Sequence, residues 1–260
     1  MSQTAHALPP LSPNAWLRWD VVERKVPASV RTVLEVGCGQ GSLGVRLAQS
    51  RDYLGVEPDP QSCATAQERV RAAGSGEVRQ GLVEDVVEPG RTFDMVCAFE
   101  VIEHVADDVK ALVSWTSFLA PGGTVLLSVP AFAKRYGPSD AMVGHYRRYD
   151  PAQMRALLAA AGLVDIEVTV YGAGLGHVLE NARNVLGARR LRKRGLPVPK
   201  GSPDGIDLDT MHELTSGSGR LFQPPAAAAT AVRVGTLPFR ALQRRFPERG
   251  TGLVATARKP

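Results

Sequence analysis

Three glycines at alternate positions, Gly37, Gly39 and Gly41, follow an apolar run that carries Glu35 near its end. A second acidic residue, Glu57, ends the next apolar run. Glycine tolerates positive φ and lets the backbone approach a ligand closely, and the start of the following helix offers free N–H groups. A carboxylate at the end of the second strand is placed to accept hydrogen bonds from a ribose diol. This pattern therefore predicts a site for a nucleoside-bearing cofactor.

The spacing of the glycines discriminates between two kinds of cofactor. A dinucleotide fingerprint, GxGxxG, would require glycine at position 42, where this chain has Ser42. The pattern here is GxGxG, led by Glu35. An acidic residue at the loop entrance suits a ligand with a cationic amino-acid end better than a pyrophosphate, since like charges repel. The alternative is a tight strand-to-helix turn that binds no ligand.

Histidines form a second set of candidate chemical groups. His104 lies in EVIEHV after the fourth apolar run, His145 lies in GHYRRYD, and His177 opens a later helical stretch. Histidine is the usual general base where a hydroxyl must lose its proton. We expect His104, His145 and the preceding Glu100 to be catalytic candidates, and His177 to contact the substrate. Structural hydrogen bonding within a loop or helix cap is the alternative for each histidine.

The GHYRRYD loop also carries side chains that suit an acidic substrate. Guanidinium groups bind carboxylate or phosphate in a bidentate fork, and aromatic rings can line a pocket. We assign substrate contacts to four residues of this loop, Tyr146, Arg147, Arg148 and Tyr149. The alternative is that they brace the loop, and we expect at least one arginine to do so by pairing with Asp140 or Asp150.

Alternating apolar runs and helical patterns would position these residues. Strands are predicted at Thr32–Val36, Tyr53–Glu57, Glu77–Leu82, Phe93–Phe99, Thr124–Val129, Val164–Tyr171 and 250–260. Helices are predicted at about 14–26, 42–50, 60–73, 105–120 and 151–162. Nearly continuous apolar strands separated by helices indicate a parallel sheet with both faces covered. Ligands bind beyond the carboxyl ends of such strands, where the glycines and Glu100 would lie.

Length and composition bound the organisation of the chain. At 260 residues and 44% hydrophobic content, it can form one large domain with a cap. We divide it into an N-terminal helix or lid (1–28), a cofactor-binding core (29–172), a helical cap or substrate insertion (173–249) and a last core strand (250–260). Three cysteines without a CxxC pair argue against disulfides and structural zinc. Neither a signal peptide nor a membrane-spanning run is evident, so we expect a cytoplasmic protein.

Positive charge is concentrated in one segment. The chain carries a net charge of +5, yet residues 183–200 hold seven basic residues and no acidic one, which leaves the remainder at −2. From Leu175, apolar residues recur with helical spacing at positions 178, 179, 182, 185 and 186, and basic residues follow at 189–194. A basic amphipathic helix over 175–194 could make a peripheral membrane contact or bind a polyanion. A cap helix with a solvated basic end is the alternative.

Four motifs resemble those of class I S-adenosylmethionine-dependent methyltransferases, and they occur in the expected order. They are VLEVGCGQGSLGVRLA (33–48), GVEPDP (55–60), FDMVCAFEVIEHVADDVKALVSWTSFLAPGGTVLLSVP (93–130) and GHYRRYDPAQMRALLAAAGL (144–163). The resemblance covers about residues 30–172 and is nearest to the small-molecule branch that includes quinone-biosynthesis O-methyltransferases. It implies a doubly wound, Rossmann-like α/β fold with a seven-stranded mixed sheet and helices on both faces. It also implies S-adenosylmethionine as the cofactor.

The resemblance assigns roles to residues of this chain. The loop around the methionine part of the cofactor would consist of Glu35, Gly37, Cys38, Gly39 and Gly41. Glu57 would bind the ribose hydroxyls beside Pro58, and Phe99 and Glu100 would border the sulfonium and the substrate. Many relatives have an aspartate where this chain has Leu82, so the adenine contact falls to Val83 or Glu84.

A divalent metal is a weaker expectation of the same resemblance. Glu100, Glu103 and His104 resemble an E-x-x-E-H cluster that is associated with a divalent cation in quinone O-methyltransferases. Because residues 100 and 103 straddle a strand-to-helix turn, convergence on one ion is not favoured. The prediction is therefore a site without metal.

The resemblance implies methyl transfer by in-line displacement to a small-molecule or lipid-linked metabolite, with oxygen as the favoured acceptor atom. N-methylation of a small molecule or peptide is one alternative, and a non-catalytic S-adenosylmethionine-binding scaffold is another. Nucleic acid is not favoured as a partner, because AFEV (98–101) stands where base-amine methyltransferases carry [DNS]PP[FYW].

Overall fold

The computed structural model describes residues 8–74, 76–203 and 225–260. Its strands are β1 (Thr32–Val36), β2 (Asp52–Glu57), β3 (Glu77–Gln80), β4 (Phe93–Phe99), β5 (Leu119–Pro130), β6 (Val164–Gly172) and β7 (Gly250–Arg258). They form one sheet of order β3-β2-β1-β4-β5-β7-β6. β7 runs antiparallel to both of its neighbours, and the other pairs are parallel. The predicted seven-stranded mixed sheet is confirmed.

The main helices are α1 (Pro13–Lys25), α2 (Gly44–Ala48), α3 (Pro60–Ala73), α4 (Val83–Val86), α5 (Asp108–Ser117), α6 (Pro138–Met142), α7 (Pro151–Ala160), α8 (Leu175–Lys193) and α9 (Ala229–Arg245). The predicted helix at 105–120 is shorter in the structure. It begins only after Asp107, whose side chain accepts a hydrogen bond from the Lys110 N–H at 3.0 Å and caps the helix.

Two strand boundaries differ from the prediction for local reasons. β3 ends at Gln80 instead of Leu82, because Gly81 takes a φ of 140° and turns the chain. β5 begins at Leu119 instead of Thr124, because its pairing with β4 continues across an irregularity in register. The proline and glycines at 121–123 resemble a turn in sequence, but here they belong to an interrupted strand.

The core lies on both faces of the sheet, as alternation along the strands requires. Leu34 and Val36 of β1 pack with residues of α4, α5 and α7, whereas Val33 packs with residues of α1, α2 and α3. The buried cysteines Cys38, Cys63 and Cys97 are free thiols. Both faces of the central strands are therefore covered, and the carboxyl ends of the strands remain the open edge.

The chain between β6 and β7 contributes α8 and α9. The helical prediction for 175–194 is confirmed, and the apolar residues whose spacing indicated it do not form its buried face. Val178 and Val185 are 64% and 53% exposed, and the buried positions of α8 are Gly176, Glu180, Gly187 and Leu191. No helix in the described part of the chain combines the length and the apolarity that spanning a bilayer requires.

Helix α9 is fixed to α1 by one buried carboxylate. Asp20 is 1% exposed and accepts hydrogen bonds from Arg240 Nε at 3.1 Å, from Gln243 Nε2 at 3.0 Å and from Arg244. Gln243 also donates to the carbonyl oxygen of Leu17 at 2.9 Å. The N-terminal helix is thereby held against the sheet and α9, and its Arg18 reaches the ligand edge.

Candidate active site

A cavity of about 1590 Å³ opens at the carboxyl ends of β1, β2 and β4. Drug-sized ligands occupy pockets of about 300–1,000 Å³, so this cavity has room for a nucleoside cofactor and a second molecule. Its wall contains nine of the ten predicted cofactor-binding residues, Glu35, Gly37, Cys38, Gly39, Glu57, Pro58, Val83, Glu84 and Phe99. It also contains the three predicted catalytic residues, Glu100, His104 and His145.

The glycine loop presents bare backbone to this cavity. Gly37 and Gly39 have φ values of 66° and 56°, which L-residues with a Cβ rarely adopt. A Cβ at Gly37 would lie 2.7 Å from a methyl carbon of Val101, whereas a Cβ at Gly39 would meet nothing within 4 Å. The space beside Gly39 is therefore open to a ligand.

Gly41 has a different reason to be glycine. A Cβ at this position would lie 3.1 Å from the Cβ of Ala66 on α3, and Gly41 is not part of the cavity wall. The structure places Gly41 in the packing between the loop and α3. The prediction that it contacts the cofactor is thus replaced by a role in holding the loop.

Glu57 faces the glycine loop from the end of β2. Its Oε2 accepts a hydrogen bond from the Gly39 N–H at 2.7 Å, and its Oε1 accepts one from the Asp59 N–H at 3.0 Å. Burial raises the pKa of Glu57, while the two backbone hydrogen bonds oppose that shift. Each oxygen keeps a free lone pair, so the oriented carboxylate can accept two hydrogen bonds from a diol.

Glu35 lies beneath the loop and is 2% exposed. Its Oε2 accepts a hydrogen bond from the Tyr53 hydroxyl at 2.7 Å. Burial raises the pKa of Glu35 to about 8, against the effect of the Tyr53 hydrogen bond, and the charge of Glu57 raises it further. A carboxyl group that is largely protonated at neutral pH therefore stands at the base of the loop.

The residues predicted to contact adenine lie together at the start of α4. Val83 is buried. Glu84 is exposed, and its carboxylate accepts a hydrogen bond from the Ser114 hydroxyl. Leu82 is 58% exposed and also lines the cavity. Leu82 therefore offers an apolar surface to a ligand at the position where the resemblance led us to expect aspartate.

Glu100 directly follows β4, has an unusual backbone conformation and pairs with Arg18. Its φ of 58° is rare for a residue with a side chain, and strained backbone of this kind concentrates at functional sites. The carboxylate lies 3.3 Å from Arg18 Nη2 and accepts a hydrogen bond from the Ser128 hydroxyl at 3.2 Å. Sequence reasoning missed Arg18, because its partner lies more than eighty positions away in the chain.

His145 is oriented by a buried carboxylate. Its Nδ1 lies 2.8 Å from Asp140 Oδ1, and Asp140 is 2% exposed. Burial alone would raise the pKa of Asp140, but hydrogen bonds and charges from His145 and Arg148 lower it to about 2. An ionised carboxylate only accepts hydrogen bonds, so in the neutral ring Nδ1 of His145 carries the hydrogen, and Nε2, which lies 3.9 Å from Glu103 Oε1, keeps the lone pair. His145 is thus arranged as a proton acceptor in the cavity wall.

Glu103 forms a second cluster with the two histidines. Ligand atoms of Glu103, His104 and His145 lie within 4.8 Å of one another, and the rings of His104 and His145 stack edge to face with centroids 4.6 Å apart. Neither carboxylate oxygen of Glu103 has a hydrogen-bond partner. Burial, together with the charge of Glu100, raises the pKa of Glu103 well above its usual range.

The metal set suggested by the resemblance differs from this cluster. Glu100 is engaged by Arg18 and Ser128, and His145 takes its place beside Glu103 and His104. One carboxylate and two imidazoles with open positions form a donor set that suits a divalent cation. If Glu103 is protonated, its neutral carboxyl can be buried without a cation to balance a charge, and His145 stays available to a substrate.

The residues of the GHYRRYD loop line two different cavities. Arg148 lines the large cavity, but its guanidinium lies 2.7 Å from Asp140 Oδ2 and also pairs with Glu180 of α8. Pairing of one arginine with Asp140, as expected, is confirmed. Arg147 pairs with Asp108 at 2.7 Å, and the Tyr149 hydroxyl donates to the same carboxylate at 2.8 Å.

Four predicted substrate contacts therefore lie outside the large cavity. Tyr146, Arg147 and Tyr149 line a separate cavity of about 490 Å³ beside α5 and α7. Asp108 at the start of α5 holds Arg147 and Tyr149 there. His177 lines neither cavity. It lies near Arg135 and near Glu180 of α8. Helix α8 belongs to the segment predicted as a cap and substrate insertion, and it lines the cavity with Glu180, Arg183, Leu186, Gly187 and Arg190, residues that sequence reasoning did not single out as substrate contacts.

Comparison with known proteins identifies the family to which the chain belongs. The profile of the family described as "Methyltransferase domain" matches residues 14–168, more than half of the chain. A ubiquinone biosynthesis O-methyltransferase of Azorhizobium caulinodans is 33% identical over 145 residues, which cover 50% of this chain and 57% of that protein. Another from Methylobacterium nodulans is 29% identical over 161 residues, which cover 56% of this chain and 65% of that protein. The chain thus matches somewhat over half the length of these curated relatives.

A solved structure from Thermotoga maritima, described as a SAM-dependent methyltransferase and possible histamine N-methyltransferase, gives a TM-score of 0.55. The two chains are 16% identical, and the match covers 96% of this chain and 90% of the other. At that identity the likeness concerns the fold alone. The family profile, however, extends from α1 into β6 and includes every strand that carries the glycine loop, Glu57 and Glu100, and the chain therefore belongs to the class I S-adenosylmethionine-dependent methyltransferases.

Proposed function

We propose that this protein transfers a methyl group from S-adenosylmethionine to a hydroxyl oxygen of a small-molecule or lipid-linked acceptor. The observation that supports this most directly is the juxtaposition, in one cavity, of the Gly37–Gly39 loop with Glu57 and of the Asp140–His145 pair. The first set suits a nucleoside cofactor. The second suits an acceptor that must lose a proton.

The cofactor fits the residues present. Gly39 leaves an open cradle, Glu57 keeps lone pairs for a ribose diol, and Glu35 can balance a cationic amino-acid end once it ionises. When bound, S-adenosylmethionine would supply an activated methyl group. Phe99 and Glu100, at the end of β4, would border that group.

The chain itself would position the acceptor and remove its proton. His145 Nε2 accepts the hydroxyl proton, and the ionised Asp140 holds the Nδ1–H and stabilises the imidazolium that forms. Asp140 is held in turn by Arg148 at 2.7 Å and by the Gly137 N–H at 2.8 Å. A general base of this kind contributes about 10²–10⁴-fold to the rate, and in-line positioning of the acceptor supplies the rest.

N-methylation of a small molecule or peptide is the alternative within the same chemistry, because a neutral amine needs no strong base. The Asp140–His145 pair favours oxygen. A non-catalytic scaffold that only binds S-adenosylmethionine is the alternative outside enzymology. A peripheral membrane contact through 175–194 also stays a prediction; Val178, Val185 and Leu186 would supply its apolar side.

The first test is calorimetric titration with S-adenosylmethionine, S-adenosylhomocysteine and NAD. We expect the first two to bind and NAD not to bind. Replacement Glu57→Ala should weaken binding about 150-fold or more, because it removes two hydrogen bonds to a charged acceptor, each contributing about 1.5–3 kcal/mol. Glu68→Ala, an exposed carboxylate on α3, is the control and should change nothing.

Acceptors can then be screened by mass spectrometry for the gain of one methyl group. Turnover would exclude the scaffold. Binding of NAD in preference to S-adenosylhomocysteine, or equal affinity in the Glu57→Ala and Glu68→Ala variants, would contradict the proposed cofactor site.

Cofactor binding should also depend on pH through Glu35. Because the free protein holds this carboxyl protonated up to about pH 8, binding of a cationic amino-acid end should release a proton at pH 7. The affinity should then fall as the pH is lowered from 8, by up to about tenfold per pH unit. Calorimetry in two buffers of different ionisation enthalpy measures the released protons. Glu35→Gln should abolish the release, and unchanged release in that variant would assign it to another group.

A further inference from the structure

Helix α8 forms one wall of the large cavity and presents a stripe of arginines to it. Arg183 and Arg190 of α8, and Arg194, the residue that caps its C-terminus, all line the cavity. At 100° per residue these positions fall within about 40° of one another around the helix axis, and at 1.5 Å per residue they extend over about 16 Å. The cavity wall therefore carries three guanidinium groups in a row.

These three cations have no carboxylate partner in the described parts of the chain. The other arginines of the cavity wall are paired, Arg18 with Glu100 and Arg148 with Asp140 and Glu180. Nε of Arg183 is also buried without a hydrogen-bond partner. Buried donors in native proteins are almost always satisfied, so this one is free to donate to a ligand or a water in the cavity.

The helix that carries the stripe is firmly anchored. A Cβ at Gly187 would lie 2.9 Å from the backbone of Pro138, which shows how closely α8 approaches α6. Asn184 Oδ1 accepts hydrogen bonds from the N–H and the hydroxyl of Ser139 at 3.0 and 2.7 Å. Three arginines on a fixed helix are pre-organised to bind an anion, since the cost of ordering the helix is already met.

Apolar side chains lie in the same part of the cavity wall. Met142 and Val143 come from α6 and the residue after it, and Leu186 comes from α8 between Arg183 and Arg190. A ligand that fills this region would therefore meet both cationic and apolar surface. A multiply charged anion on an organic body matches this combination better than a free inorganic ion.

We propose that the methyl acceptor is a phosphate or diphosphate ester whose anionic group binds Arg183, Arg190 and Arg194. The inference rests on the proposed methyl transfer and names the class of acceptor. Guanidinium groups bind phosphate oxygens in bidentate pairs, and three uncompensated positive charges suit a diphosphate better than a single carboxylate. The organic part of the ester lies against Met142, Val143 and Leu186.

The test is titration of the full chain, saturated with S-adenosylhomocysteine, with sodium pyrophosphate. Arg183→Gln, Arg190→Gln and Arg194→Gln should each weaken pyrophosphate binding about tenfold or more. Arg189→Gln and Arg192→Gln alter exposed arginines of the same helix that do not line the cavity, and they should stay within about twofold of the wild type. Thermal melting of each variant checks that it is folded.

Two further ligands identify the source of the anion. Tighter binding of geranyl diphosphate than of uridine diphosphate would indicate a lipid ester. Tighter binding of uridine diphosphate would indicate a water-soluble ester. Both outcomes support the proposal. Equal weakening by wall and control variants, or binding to phosphatidylglycerol vesicles but to none of the diphosphates, would overturn it. If S-adenosylhomocysteine itself fails to bind, the proposed function fails. If it binds and pyrophosphate does not, only the acceptor class is wrong.

Discussion

Replacing His145 with asparagine is expected to lower kcat by about 10²–10⁴-fold, with the affinity for S-adenosylmethionine unchanged. Asparagine can still donate to Asp140 from the position of Nδ1, so the buried carboxylate keeps a partner. It has no equivalent of Nε2 that could take a proton. The measurement is single-turnover methylation of an acceptor identified by the screen, together with calorimetric titration of the cofactor.

His177→Asn is the matched control, since the structure places His177 outside both cavities. Wild-type kcat in this variant would agree with that placement. Two outcomes would contradict the general base. One is a His145→Asn variant with full kcat. The other is loss of wild-type activity in EDTA that a divalent cation restores, which would assign Glu103, His104 and His145 to a metal ion.

The second large effect is expected on stability. Arg148→Met should lower the free energy of unfolding by about 3–5 kcal/mol, because it leaves Asp140 and Glu180 buried with fewer cationic partners. The Arg148 side chain is 4% exposed and each of these carboxylates is 2% exposed. The loss corresponds to a fall in Tm of about 6–20 °C for a domain of this size. Urea denaturation with a constant m-value measures it.

Arg147→Met provides the comparison, since its pair with Asp108 is partly solvated and should be worth only about 1 kcal/mol. The pH dependence gives a further check. The pKa of Asp140 is lowered from 3.8 to about 2 in the folded protein, so its stabilisation is complete above about pH 4 and is lost as the pH falls toward 2. The difference in the free energy of unfolding between the wild type and Arg148→Met should become smaller as the pH falls from about 4 to 2. Equal effects of the two substitutions would show that burial of Arg148 contributes no stability.

The cofactor half of the site could be predicted from sequence because it is local. Gly37, Gly39 and Glu57 follow directly from two apolar strands, and parallel pairing of β1 with β2 brings them together. Gly41 belongs to the same motif, but it packs against Ala66 of α3. The spacing of the glycines does not show which of them face a ligand and which face a helix. The strands were predictable for a related reason, since a strand buried on both faces is a continuous apolar run in sequence.

The acceptor half could not be predicted in this way, because tertiary contacts assemble it. Arg18, Asp140 and Glu180 come from three separate helices. Helix α8 shows the difficulty most clearly, since the spacing of its apolar residues does not reveal which of its residues are buried. Glu180 is buried there because Arg135 and Arg148 satisfy its charge, and Gly187 is buried because only glycine permits the close approach of α6.

The antiparallel strand β7 has a consequence for the nascent chain. Among the described residues, β6 pairs in the sheet with β7 alone, and 77 residues separate Gly172 from Gly250. At about 5–20 residues per second, the ribosome needs about 4–15 s to make that segment. During this interval β6 has no strand partner, and an unpaired edge can associate with other chains. The exposed charges of Asp165 and Glu167 within β6 would oppose such association until β7 inserts.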